Sequence, residues 1–236
     1  MSEQIPVSPL PLVPPVPPAP PRNDQDRKIA DRISDTREKL LIAKSDPEIL
    51  TPLTSRGYTG KRLDDEGFAL QAEAQNTYNL RQTAMGVEDH ANQTFAAAFA
   101  ARRQSYVDFR TTGRRIFKKD PAAQAGLKLT GRISSDAQQF VTDARASYNA
   151  GLSTPAYLAE LAREGYDQAA LTRLLTELDA LQDANTAQEA ARAAATRATQ
   201  QRDAADAALS DWMGRFRTAA GIALRDRPDL LRKLGL

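Results

Sequence analysis

The feature that most constrains the fold is an internal repeat. "GYTGKRL" begins at Gly57, and "GYDQAAL" begins at Gly165, which lies 108 positions later. Other pairs that align at this spacing are Pro47 and Pro155, Leu50 and Leu158, Leu53 and Leu161, Tyr58 and Tyr166, Leu63 and Leu171, and Leu70 and Leu178. Two alanine-rich stretches match by chance mainly at alanines, whereas these matches are prolines, glycines, tyrosines and leucines. The sequence therefore predicts a tandem duplication.

The repeat reaches the C-terminal end of each copy, where the spacing becomes 107. "FRT" at 109–111 aligns with "FRT" at 216–218. The remaining pairs are Pro121 and Pro228, Leu127 and Leu234, and Leu129 and Leu236. We therefore divide the chain into a Pro-rich arm at 1–22, a first repeat unit at 23–130 and a second at 131–236. Since a repeat module buries its apolar face against its neighbour, the two units are expected to pack as one bundle.

Composition and spacing indicate that both repeat units are helical. The 60 residues from 60 to 119 contain no proline and are rich in good helix formers. In the second copy a coiled-coil seam is predicted from leucines spaced three and four apart, at Leu171, Leu174, Leu178 and Leu181. We predict an all-α fold in which a helix, a short helix and a long helix occur twice, as an elongated antiparallel bundle. The long helices are expected to be continuous, with bends near Gly86 and Thr186 as the alternative.

The repeated Gly-Tyr pairs are interpreted as corners between helices. Gly57 and Gly165 follow short apolar helices, where a glycine in the left-handed conformation commonly ends the helix. Tyr58 and Tyr166 are then expected to fold back onto the leucines of the short helix. Thr59 and Asp167 come next and are suitable N-caps for the long helices. Neither copy carries a shared set of reactive groups, so the predicted role of these corners is structural.

The N-terminal arm contains nine of the 14 prolines, all within residues 1–21. This composition predicts a polyproline II segment, for which the usual alternative is a disordered tail. Its apolar residues are candidates for docking on another subunit: Pro6, Leu10, Leu12, Val13 and Val16. Because prolines interrupt the apolar stretch, we do not expect a signal peptide. The expected location is cytoplasmic, or outside the cell by a route without a recognisable signal.

The sequence offers little that resembles an active site. It has no cysteine and one histidine, His90, so the usual zinc, haem, iron–sulfur and di-iron ligand sets are lacking. It also has no glycine-rich phosphate loop and no serine nucleophile elbow. We therefore expect no enzymatic activity, no cofactor and no metal ion. Since no run of about 18 apolar residues occurs, no membrane span is expected.

One basic stretch departs from the nearly balanced net charge of +2. The candidate basic patch consists of Arg110, Arg114, Arg115, Lys118 and Lys119. Such a cluster with interleaved aromatic residues is compatible with a polyanion-binding surface. The simpler interpretation is a helix C-terminus whose arginine stems cover apolar surface and whose charges complement the helix dipole. We expect nucleic acid not to be the main partner.

The Gly-Tyr corners and the chain's last residues carry a resemblance. "RGYTGKRL", "REGYDQAAL" and the ending "RDRPDLLRKLGL" resemble uncharacterised bacterial all-helical proteins with a Gly-Tyr helix corner and a terminal Leu-Gly-Leu. The resemblance covers the second repeat unit best, since the first has "GLKL" where the second has "KLGL". It implies an all-helical fold and carries no activity with it.

These observations together favour a structural function. The leading expectation is a building block of a homomeric filament, sheath or shell, in which the Pro-rich arm docks on a neighbouring copy. The main alternative is an adaptor whose arm is bound by a different protein, because Pro-rich segments are common recognition motifs. A polyanion-binding bundle is the third possibility.

Overall fold

The structure is a computed structural model that describes residues 24–236, and its elements in that range are helices. The predicted first repeat unit contains α1 (Asp24–Ser45), α2 (Pro47–Thr54), α3 (Gly60–Arg62), a π-helical segment (Leu63–Phe68), α4 (Ala69–Ile116) and α5 (Pro121–Gly126). The predicted second repeat unit contains α6 (Ala137–Ser153), α7 (Pro155–Ala162), α8 (Gln168–Ala223) and α9 (Pro228–Lys233). Over these residues no strand is found, which confirms the all-α prediction. The docking residues predicted in the arm lie outside the described residues.

Local sequence signals fix where several helices begin. Asp46 precedes Pro47, and its side chain accepts a hydrogen bond from the Glu48 N–H, at 2.9 Å. Thr59 Oγ1 accepts from the Arg62 N–H at 3.1 Å, and Asp167 Oδ1 accepts from the Ala170 N–H at 2.8 Å. Each contact satisfies a backbone donor that the first turn of a helix leaves unpaired. The N-cap predictions for Thr59 and Asp167 are therefore confirmed.

Both long helices are continuous, α4 through Gly86 and α8 through Thr186. Gly86 lies inside α4, and a Cβ added there would meet no atom within 4 Å. Thr186 lies inside α8, where its hydroxyl donates to the Gln182 carbonyl one turn earlier, at 3.1 Å. The hydroxyl thus bonds within the helix and does not cap a new one.

A π-helical segment precedes α4, and one tryptophan packs against it. A Cβ added to Gly67 would lie 2.7 Å from Trp212 Cη2, so only glycine leaves room for the indole ring. The indole N–H donates to Glu66 Oε2 at 2.9 Å. Both contacts with Trp212 therefore come from the π-helical segment, which was not predicted from the sequence.

The chain forms two compact units that do not coincide with the predicted repeat units. The first compact unit combines residues up to Thr83 with Gln200–Leu236, and the second is Ala84–Thr199. Helices α4 and α8 contribute residues to both. Each compact unit therefore contains the beginning of one repeat unit and the end of the other. The boundaries at 23–130 and 131–236 remain a prediction about the sequence repeat.

The core of the first compact unit joins the beginning of the chain to its end. Ile33, Leu40 and Leu53 are buried in one cluster with Trp212 and Phe216. Because Trp212 and Phe216 are more than 150 residues away in sequence from Leu53, long-range contacts build this core. The cluster includes a T-shaped contact between the Tyr58 and Phe216 rings, whose centroids are 5.5 Å apart.

The core of the second compact unit is built around aromatic rings from α4 and α6. Tyr106, Phe109, Phe140 and Tyr148 are buried there. The Phe109 ring is 5.1 Å from that of Tyr148, in a T-shaped arrangement. The leucines of the predicted seam are all buried in the same core, and they are Leu171, Leu174, Leu178 and Leu181. They contribute to a core that also includes α6 and the C-terminal part of α4.

Burial of three tyrosines in the second compact unit predicts a loss of stability in alkali. Burial raises the pKa of Tyr106, Tyr148 and Tyr166 above the usual value of about 10. Above pH ~10 the unfolded chain releases these protons while the folded chain keeps them, so stability falls as pH rises from that point. We expect an absorbance titration to show that these phenols ionise later than free tyrosine and together with unfolding. Full ionisation near pH 10 with the helices intact would contradict this.

Candidate functional site

The two Gly-Tyr corners have the same backbone structure. Gly57 has φ +83° and Gly165 has φ +87°, both in the left-handed region that glycine occupies without strain. The Tyr58 N–H donates to the Leu53 carbonyl at 3.0 Å, and the Gly57 N–H donates to the Thr54 carbonyl at 2.9 Å. The second corner repeats both bonds, from Tyr166 to Leu161 and from Gly165 to Ala162. This pair of bonds is a Schellman motif, so the predicted glycine C-caps are confirmed.

Each corner tyrosine packs on an aromatic residue that belongs to the other predicted repeat unit. Tyr58 contacts Phe216 at 5.5 Å between centroids, and Tyr166 contacts Phe109 at 5.3 Å. Phe216 and Phe109 are themselves aligned residues of the repeat. The two contacts are therefore counterparts, and each lies within one compact unit. Each corner joins a short helix to a long one, and its tyrosine contacts an aromatic ring outside the short helix.

The candidate basic patch is divided between the protein interior and its surface. Arg110 is only 3% exposed, and its guanidinium donates to the carbonyls of Leu129, Thr130 and Gly131. Arg114 Nε also donates to the Leu129 carbonyl, at 2.5 Å. Arg115 pairs with Glu164, while Lys118 and Lys119 are exposed in the turn after α4. The five residues thus do not form one exposed surface, since Arg110 faces inward.

The first turn of α1 contributes to a buried ionic cluster that was not predicted from the sequence. The Asp26 side chain is 0% exposed, and both its oxygens accept from Arg81 Nη1 at 2.7 Å. Asp26 Oδ1 also accepts from Arg202 Nη1 at 2.7 Å. Arg202 in turn contacts Asp203, whose side chain is half exposed. We call Asp26, Arg81 and Arg202 the anchor cluster.

The anchor cluster holds the first turn of α1 against α4 and α8. A buried carboxylate needs charged or hydrogen-bonding partners, because its desolvation is costly. The two arginines supply these partners from positions 55 and 176 residues away in sequence. One signal in the sequence could have revealed the cluster, because Asp26 lies on the same helix face as the apolar Ile29 and Ile33. A charged residue on an apolar face indicates a buried partner.

An open groove lies on the first compact unit along α8. Its floor consists of residues spaced four apart along one face of the helix, namely Ser210, Gly214, Thr218 and Ile222. A Cβ added to Gly214 would meet no atom within 4 Å. Arg56, Asp211 and Arg215 also line it, and Ile222 is 41% exposed. We call this feature the α8 groove, which has a volume of about 560 Å³.

Neither the anchor cluster nor the α8 groove has the composition of a metal or membrane site. Among residues 24–236, no group of three or more histidine, aspartate or glutamate side chains is placed to hold a metal ion. None of the helices described in this range is long and apolar enough to cross a membrane.

Comparisons with known proteins do not relate the chain to a family. No family model matches it, and neither the curated proteins nor the solved structures contain a significant match.

Proposed function

We propose that this protein is the subunit of a homomeric assembly, built by tandem duplication and joined by its Pro-rich arm. In this proposal residues 1–21 of one copy dock in the α8 groove of a neighbouring copy. The observation that carries the proposal is the combination of an uncharged, proline-rich segment with an exposed groove on the same chain. Residues 4–21 contain no charged side chain, so their burial against a partner requires no ion pairs.

The duplication is supported by features that sequence alignment alone does not contain. The order of a helix, a short helix with Pro at its start, a long helix and a final short helix occurs twice. The Schellman motifs recur at the two corners with the same pairs of backbone groups. The final short helices also agree, because the N–H groups of Leu129 and Leu236 donate to the carbonyls of Gln124 and Leu231. Tandem duplication of one module would account for these matching features.

The anchor cluster supports a defined starting point for the arm. Asp26 lies four residues after the end of the arm at 22, in the first turn of α1. Since Arg81 and Arg202 both bond to it, the start of α1 is held to two other helices. An arm that begins at a fixed point loses less conformational entropy on docking than one that begins from a frayed helix end.

The dimensions and chemistry of the α8 groove suit the apolar part of the arm. Residues 210–222 span about 18 Å along the helix at ~1.5 Å per residue. A polyproline II segment covers that length in six steps of ~3.1 Å each, which corresponds to the seven residues Leu10–Val16. Its carbonyl groups form no internal hydrogen bonds and can accept from Arg56 and Arg215. The side chains of Leu10, Val13 and Val16 would then cover Ile222 and the small residues of the floor.

Light scattering on the full-length protein and on a variant that begins at Arg22 tests the proposal. We expect the full-length protein to form particles larger than a monomer, with mass increasing with concentration. Removal of Met1–Pro21 should leave a folded monomer, because the anchor cluster and both cores remain intact. A synthetic peptide of residues 1–21 should compete with assembly of the full-length protein.

A second variant links the effect to the α8 groove. Gly214→Glu places a charged side chain on the groove floor without a clash, since nothing lies within 4 Å of the added Cβ. Gly86→Glu is the matched control, because Gly86 also lies within a long helix with open space around it. We expect Gly214→Glu to reduce assembly and Gly86→Glu to preserve it. A full-length protein that stays monomeric at all concentrations would rule out the proposal. It would favour the alternative, in which a different protein binds the arm.

A further inference from the structure

The second compact unit has a surface on α4 that corresponds to the α8 groove of the first. Phe216 of α8 packs on Tyr58 as Phe109 of α4 packs on Tyr166, so the two surfaces occupy equivalent places in their compact units. The groove residues and their aligned counterparts are Gly214 and Val107, Thr218 and Thr111, Ile222 and Arg115, and Arg56 and Glu164. We call Val107, Thr111, Arg115 and Glu164 the α4 face.

The α4 face carries an ion pair that the α8 groove lacks. Arg115 contacts Glu164, and their side chains are 67% and 42% exposed. The aligned residues of the α8 groove are Ile222 and Arg56, which cannot form an ion pair. An uncharged peptide on the α4 face would cover this pair and remove both charges from water, which costs free energy. On the α8 groove the same peptide would cover the exposed apolar surface of Ile222, which is favourable.

The middle of the α4 face also offers less room than the middle of the α8 groove. Gly214 is exposed and has no side chain, and space is open around it. A glycine at such a position lets another chain approach the helix backbone closely. Val107 places a partly buried side chain at the aligned position. On either side of it along α4, Gln104 donates to Asp108 Oδ1 at 2.8 Å.

We propose that only the α8 groove accepts the arm, and that Val107, Arg115 and Glu164 exclude the arm from the α4 face. This inference rests on the proposed function. Because each chain then has one arm and one groove, each copy contacts one neighbour through its arm and another through its groove. Such a heterologous contact forms a ring or an open filament. A second docking surface on each chain would instead allow branching.

Photo-cross-linking in the assembled full-length protein tests where the arm docks. Leu12→benzoylphenylalanine places a photoreactive ketone in the arm, and mass spectrometry identifies the residues with which it reacts. Mixing isotope-labelled and unlabelled copies distinguishes cross-links between subunits from those within one chain. We expect cross-links between subunits at residues 210–222, with a yield at least about tenfold higher than at residues 103–115.

A variant in which the α4 face copies the α8 groove tests the excluding residues. Arg115→Ile and Glu164→Arg replace the ion pair, and Val107→Gly opens the middle of the face. In this triple variant, we expect the yield at residues 103–115 to rise to within about threefold of that at residues 210–222. The double variant that retains Val107 adds no glycine to α4, and we expect its yield at residues 103–115 to exceed that of the wild type by at least about threefold.

Arg145→Ile with Asp179→Arg is the matched control. These residues form a partly exposed ion pair in the second compact unit, outside the α4 face, with 2.6 Å between Arg145 Nη2 and Asp179 Oδ1. The control makes the same two kinds of substitution as the double variant. It should cross-link like the wild type.

Two results would overturn the inference and leave the proposed function intact. The first is an assembled wild type that cross-links equally at residues 103–115 and 210–222. The second is a double variant that folds and assembles but cross-links only at residues 210–222, a comparison that holds even where the triple variant fails to fold. A full-length protein that stays monomeric and gives no cross-links between subunits would contradict the proposed function itself, and this inference with it.

Discussion

The two repeat units, prepared as separate chains of residues 1–130 and 131–236, are expected to be largely unfolded alone and to fold when mixed. Each compact unit takes its core from both chains. In the first compact unit Leu53 and Tyr58 come from one chain, whereas Trp212 and Phe216 come from the other. Without its partner, each chain would expose the apolar faces that these contacts cover. The free energy lost by exposing them is larger than the local contacts within its own helices can offset.

A fragment that crosses the repeat boundary provides the matched control. Residues 84–199 are similar in length to 131–236 but contain the whole core of the second compact unit, from Tyr106 to Leu181. We expect this fragment to fold alone, with a cooperative thermal transition in circular dichroism. A fragment 131–236 that unfolds cooperatively by itself as a monomer would contradict the interpretation.

The mixed chains are expected to pair with each other more strongly than with themselves. Trp212 packs against Gly67 in the first compact unit. In the alignment of the two repeat units, Leu175 corresponds to Gly67, and Ser105 corresponds to Trp212. A self-paired 131–236 fragment would therefore place Trp212 against Leu175, where the added side chain leaves no comparable space. Sedimentation of the mixture should show a 1:1 complex of the two chains.

The parts of the fold that could be predicted from sequence depend on neighbouring residues. The corner at Gly57 requires only a glycine that can adopt positive φ and a following residue that closes the Schellman motif. The cap at Asp167 likewise uses a side chain three residues from its partner. Because such signals are complete within a few positions, the all-α class, the corners and the caps agree with the structure.

The remaining features depend on residues that are far apart in sequence. The π-helical segment packs against Trp212, which lies 145 positions after Gly67. Arg110 and Arg217 are aligned residues of the repeat, yet Arg110 is buried and Arg217 is half exposed. The repeat pattern assigns the two arginines to equivalent positions. It does not reveal that the carbonyls of residues 129–131 accept hydrogen bonds from Arg110. The division into compact units was missed for the same reason: it depends on which half of α4 packs with which half of α8.

Asp26→Ala is expected to be among the most destabilising single substitutions outside the apolar cores. It leaves the guanidinium groups of Arg81 and Arg202 buried without the carboxylate that accepts from both. Removing one partner of a buried ion pair typically costs about 3–5 kcal/mol, because the remaining charge is desolvated and unpaired. Urea denaturation should show this loss as a lower midpoint for unfolding of the first compact unit.

Asp24→Ala is the matched control for this substitution. Asp24 is exposed in the same first turn of α1, so both substitutions remove the same favourable charge from the helix N-terminus. That shared effect is worth about 0.3–1 kcal/mol. The difference between the two variants therefore measures the anchor cluster alone, and equal midpoints would show that it does not hold α1.

The anchor cluster can also be tested by replacing all its charges together. A triple variant with Asp26→Leu, Arg81→Met and Arg202→Met leaves no buried unpaired charge, since Asp203, the other partner of Arg202, is half exposed. Apolar replacement of a buried ionic cluster is often neutral or stabilising. We expect this variant to recover most of the stability that Asp26→Ala loses. A triple variant as unstable as Asp26→Ala would mean that the geometry of the hydrogen bonds, and not the balance of charge, fixes the start of α1. In the triple variant the arm would then begin from a less rigid start of α1, and its docking on a neighbouring copy would be weaker than in the wild type.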